Sequence, residues 1–176
     1  RAISTSTLPG LSSNQVAALS LAGVAALTSA QVQVIESGDF AALSTTQLQQ
    51  LNSVAIAGLT ANQVDTLSTT EVALLSSAQI SGLASVALQQ LTTAQLAALT
   101  VSNVVGLGSN QIALLSATQV AGFEATDLGQ LNSDQVKGFS TAAIVGLSAS
   151  QLAGVASTSI VGLSTAQVAA IESGDV

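Results

Sequence analysis

An apolar period of eight residues runs through the chain without slipping. Leu11, Leu19, Leu27, Ile35, Leu43 and Leu51 recur every eighth residue, and the series continues to Ile171. A second series follows five residues behind: Val16, Val24, Val32, Phe40, Leu48 and Ile56, on to Val168 and Val176. Counted from Ile3, the 176 residues hold twenty-one full octads and part of a twenty-second. A short fixed period means one structural unit stacked on copies of itself, and this constrains the fold before any other feature does. Its plainest form is LSTAQVAA, at 163–170.

The octad carries its own helix-start signal. Position two is Ser, Thr or Asn in 16 of the 22 octads. Those side chains accept a hydrogen bond from a free N–H at the beginning of a helix. Position five is Gln in 11 octads, three residues after that cap, which completes a capping box. Positions one and six then fall where the two halves of a hydrophobic staple belong. A new cap arrives eight residues later, so each helix has about six residues, roughly one and a half turns. Position eight is Gly in nine octads, among them Gly58, Gly82, Gly106, Gly146, Gly154 and Gly162. Glycine there predicts an exit from the helix through positive φ. So short a helix is unstable alone, because nucleation is costly, and must be stacked on its neighbours.

Other folds fit less well. Along one continuous helix the Leu series would drift about 80° per octad and never form a stripe. In a β-solenoid, the alternative kept open, positions one and six have opposite parity and a flat strand would point them to opposite faces. Ala, Leu and Gln also favour helix over strand. At 48% hydrophobic the chain is too apolar for disorder. The expected architecture is an all-α solenoid of one-to-two-turn helices, a single repeat domain over 1–176. It reads as a segment of something longer or as a processed subunit, since it opens at Arg1 and stops mid-octad at Val176 with no terminal cap.

The Gln series adds a second period. It occupies 15, 31, 47, 63, 79, 95 and 111, every sixteenth residue, then skips to Gln119 and resumes at Gln135, Gln151 and Gln167. This spacing predicts two octads per coil. The apolar period passes through the skip undisturbed, so the core should too.

Composition excludes several functions. The net charge is −7, and Arg1 and Lys137 are the only cations. Nucleic acid needs a basic footprint, and anionic membrane surfaces attract basic segments. The longest apolar run, 21–27, falls far short of the about 20 residues of a membrane span. There is no His and no Cys, and no Ser or Thr stands in a nucleophile setting, so no enzyme is expected. Gly106 and Gly108 are no phosphate loop.

Three octads depart from the rule. Glu36-Ser-Gly-Asp39 and Glu172-Ser-Gly-Asp175 are identical, and Glu124-Ala-Thr-Asp127 is a third version. In each, Glu replaces the cap and Asp replaces the Gln. Acids suit the start of a helix against its dipole, which explains them without a ligand. Calcium is the ion such oxygens would take, with Glu36, Asp39, Glu124, Asp127, Glu172 and Asp175 as weak candidate ligands, two to a site. No other cofactor is expected.

The LSTAQVAAL-type octads resemble repeat regions of very large secreted or surface proteins of Gram-negative bacteria, of the adhesin, haem-utilisation and RTX-like kinds. The resemblance covers the chain from Ile3 onward. It implies an extracellular or cell-surface location and a role as fibre, stalk or matrix filament. Open solenoid ends expose apolar surface, so further copies of the chain are the expected partner, beside a cell-surface or matrix partner. The GGxGxD nonapeptides of RTX proteins are absent, and with no His, Met, Cys or Tyr there is no haem ligand. A second expectation is a binding module that presents a regular Ser/Thr/Ala face to ice or a glycan.

Overall fold

The computed structural model describes residues 4–174. Among them are nineteen short α-helices, two 3-10 turns and no strand. The all-α solenoid is what forms, one helix to nearly every octad, and the β-solenoid is set aside.

Where the cap residue and the Gln are both present, the helix starts as its octad dictates. In octad 59–66 the Gln63 N–H donates to Thr60 Oγ1 at 3.3 Å, and the Thr60 N–H donates to Gln63 Oε1 at 2.9 Å. Ser76 and Gln79 repeat the exchange at 3.2 and 2.9 Å. Asn132 serves as a cap in the same way, accepting from the Gln135 N–H at 3.0 Å. Two octads are weaker copies: the first forms only the 3-10 turn Leu8–Gly10, and octad 99–106 is the second. With Val101 at position three and Asn103 in place of Gln, it forms only the 3-10 turn Val104–Gly106.

The helices end differently from expectation. No described residue, glycine included, has positive φ. Instead the N–H of position one bonds back to the carbonyl of position six, Leu67 to Val64 at 3.1 Å and Leu83 to Ile80 at 3.2 Å. The chain then rounds a corner in extended conformation over two residues. Leu67 has φ −70° and ψ 126°, and Ser68 has φ −71° and ψ 160°. Glycine at position eight answers to packing, not to the helix exit. A Cβ on Gly58 would collide with the Ser29 carbonyl oxygen, and one on Gly82 with that of Ser53. Gly138 meets Ser109 in the same way, its Cβ position 2.6 Å from the carbonyl oxygen. Each of these partners stands at position three of the third octad back.

That offset belongs to a coil of three octads, which corrects the expected two. Residues 1–90 and 91–176 form two compact units. In the first, Ser13–Ala17 packs on Ser37–Phe40, Ser29–Gln33 on Ser53–Ile56, and Ser53–Ile56 on Ser77–Gly82. In the second, Ala117–Val120 packs on Thr141–Val145 and Ala125–Leu128 on Ala149–Gly154. Every such pair is three octads apart. Two extended residues between helices turn the chain by about a third of a circle, so three corners close a coil. The Gln alternation, which recurs every second octad, therefore cannot mark one side of the solenoid. It visits all three sides and returns to each in every second coil.

The core is built from the two apolar series. Position six, from Val16 to Val136, is at most 2% exposed in every octad. Position one covers it from Leu27 to Leu147 and stays buried throughout. Burying one such side chain is worth about 1.5–3 kcal/mol, and it is the repetition of this step that offsets the poor nucleation of each helix. The skip at Gln111–Gln119 leaves the core intact: Ile112, Leu115 and Val120 are all buried across it.

Candidate functional site: the acidic octads and the joints between coils

Glutamine at position five has a second use beyond the cap. Its Oε1 faces its own octad, while its Nε2 reaches the corner of an earlier coil. Gln47 Nε2 donates to the Leu19 and Ala17 carbonyls at 2.7 and 3.0 Å. Gln79 does so to Leu51 and Leu48 at 2.8 and 2.9 Å, and Gln151 to Phe123 and Ala121 at 2.8 and 3.1 Å. The corner carbonyls, left over where one helix stops and the next begins, thus find their donors one coil further along. Gln63 and Gln79 are buried, so these bonds are shielded from water. Pattern reading finds the cap and misses this joint. Its one signal is the choice of Gln, which both accepts and donates, where Glu would satisfy the cap alone.

The acidic octads use the same position differently. Glu36 and Glu124 stand at the N-caps of Ser37–Phe40 and Ala125–Leu128, and neither side chain caps its helix. Asp39 is half-buried and accepts from Ser13 Oγ, in the third octad back, at 2.6 Å. Asp127 is buried, and its Oδ2 has no hydrogen-bond partner. Burial, and secondarily the Glu124 carboxylate nearby, push the Asp127 carboxyl above its ordinary pKa. Asp175 and the Glu172 side chain lie outside the described residues. Among the described residues, no three acidic, His or Cys side chains come together. Each described site therefore offers two carboxylates, as its sequence does.

The surface follows the octad too. Position four is exposed in every octad from 11–18 to 163–170, as Asn14, Ala22, Thr46, Thr118 and Ser150 illustrate. No helix among the described residues is long and apolar enough to cross a membrane.

The class these observations define is a helical octad-repeat solenoid with glutamine-bridged coils. Residues 32–69 match the family model of the ALTTAQ repeat. That stretch carries two of the capping boxes, Ser44 with Gln47 and Thr60 with Gln63. No curated protein and no solved structure matches the chain.

Proposed function

We propose that this chain is a structural solenoid that builds an extracellular or surface fibre, stalk or matrix filament by stacking coil on coil with further copies of itself. The observation that carries the reading is that one contact is repeated from coil to coil. Within each unit helices three octads apart pack on each other, and position six is at most 2% exposed from Val16 to Val136. A coil of one copy can seat against a coil of another through the pattern it already uses. A head-to-tail contact of this kind repeats without closing and propagates as a filament. Secretion and surface location rest on the resemblance of the octads to those of large bacterial surface proteins.

Electron microscopy of the purified chain tests this. Long unbranched fibres are expected, and Ile160→Glu with Val168→Glu should leave dispersed particles. Wild-type protein that stays dispersed at high concentration, or fibres indifferent to the double substitution, overturns the reading.

The unbroken exposure of position four supports a second reading, a binding face for a repetitive surface such as ice or a glycan. Its residues, mostly small or polar apart from Val54 and Val86, recur once per octad and stand outside the capping bonds. Replacing Thr46, Thr118 and Ser150 with Lys should abolish such binding and leave fibre formation untouched.

A further inference from the structure

Octad 123–130 is a place where the joint between coils lacks its usual donor. On either side of it in the chain, Gln119 donates to Leu91 and Gln135 to Leu107, each 28 residues earlier. Gln135 also reaches Val105, two residues before Leu107. By the same register a glutamine at 127 would meet the carbonyls of Leu99 and Ala97. An ionised carboxylate has no hydrogen to offer them. Asp39 escapes the difficulty because Ser13 donates to it. The residue that stands to Asp127 as Ser13 stands to Asp39 is Val101, which has no hydroxyl and lines a groove with Ala125, Thr126 and Gly129.

Nothing nearby compensates a charge. The following coil packs Ala149–Gly154 against Ala125–Leu128 and carries no charged residue there, nor does segment 99–106. Glu124 is the only charged neighbour in its own octad, and it repels; Asp134 and Lys137 belong to the next octad. A divalent ion wants six or more oxygens, whereas two carboxylates are all that this octad provides. One proton resolves what the cation resolves less well. It removes the buried charge and turns Oδ2 into a donor.

We propose that Asp127 keeps its proton in the folded coil and donates it to the Leu99 or Ala97 carbonyl in place of the glutamine amide, so that this joint holds in mild acid and loosens as the pH rises. The folded state then binds this proton more tightly than the unfolded chain. Between the two pKa values it carries more protons than the unfolded chain, so stability falls as pH rises; the contribution is complete below the unfolded value and gone above the folded one.

Carbon-13 NMR of the aspartate carboxyls in the full chain tests the proposal, with Asp127 assigned by its loss in Asp127→Asn. Its titration midpoint should lie above the ordinary aspartate value. Melting temperature followed from acid to neutral pH should fall in the wild type relative to Asp127→Asn. Amides in 97–104 and 125–131 should gain exchange with pH in the wild type beyond the intrinsic rate. Asp127→Gln restores the residue of eleven other octads and should remove the pH dependence even if the Asn variant folds poorly. Titration of Asp127 at the ordinary aspartate value, or an equal pH response in the wild type and the Gln variant, overturns the proposal. So does a melting temperature that sodium, potassium or calcium raises in the wild type alone, which would assign the site to a cation.

Discussion

Gln63 Nε2 donates to the Ile35 carbonyl oxygen at 2.8 Å, across one coil of the solenoid, while its Oε1 holds the Thr60 N–H. One side chain starts a helix and fastens that helix to an earlier coil. Gln63→Ala removes both and leaves buried polar groups unpaired. The loss should be about 2–4 kcal/mol by chemical denaturation, from unsatisfied groups at about 1–3 kcal/mol each. Gln15 is exposed and bonds within its own octad, so Gln15→Ala should cost far less. Equal losses at the two positions would mean the cap, not the joint, accounts for the stability.

Gln63→Glu separates the two uses in another way. The carboxylate can keep the Thr60 bond, as Glu71 keeps that of Ser68 at 2.8 Å, but it faces the Val32 and Ile35 carbonyls with no proton to give. Its folded pKa should rise above the unfolded value. The variant should then be destabilised at neutral pH and recover on acidification, visible as a melting temperature that climbs as pH falls.

The glycines predict opposite signs by place. Gly58→Ala sets a Cβ against the Ser29 backbone and should be strongly destabilising, because backbone cannot swing away. Gly38 sits inside Ser37–Phe40 with open space around its Cβ position. Gly38→Ala should stabilise by about 0.5–1 kcal/mol, the usual gain of Ala over Gly in a helix. Thermal melts of the two variants check both.

Ala84 and Ala156 occupy the cap position and cannot accept an N–H, and the residues three further on, Ala87 and Ser159, are not Gln. Amides in 84–90 should exchange faster than those in 92–98, where Thr92 and Gln95 form the full box. Ala84→Ser should slow exchange locally and add about 0.5–2 kcal/mol. Faster exchange in that variant would remove position two as the cap.

Calcium should change the melting temperature little. Asp39 already has a donor in Ser13, and each described acidic octad brings two carboxylates. A rise of many degrees at modest calcium would make Glu36, Asp39, Glu124 and Asp127 ligands.

The start of a capped octad is legible in its sequence. Thr60, Gln63, Leu59 and Val64 announce a capped, stapled helix, and the structure forms it. The size of the coil is not legible, because it depends on the angle at each corner. Leu67 and Ser68 set that angle through ordinary extended φ and ψ, which leave no mark on a period. The Gln alternation points to two octads per coil when it is read as a property of a side, and a side recurs every third octad. Gly58 misleads for a related reason. A glycine that ends a helix and a glycine that admits a neighbouring backbone look alike until Ser29 is seen against it. Asp127 and Asp39 likewise share a motif, and only the residue at position three of the third octad back, Val101 or Ser13, tells them apart.

The skip between Gln111 and Gln119 is what the loss of one octad would leave behind. Helices Ser109–Ile112 and Ala117–Val120 follow each other as any two octads do, although both carry the glutamine that otherwise alternates. All three sides of the coil accept the same octad, so the gene can gain or lose a single octad, without waiting for a whole coil, and still encode a closed core. Such an event turns everything downstream by one side of the triangle. Recombination slippage would thus vary the reach of the protein in single-octad steps, and would reshuffle which surface residues share a side while the interior stays as it was.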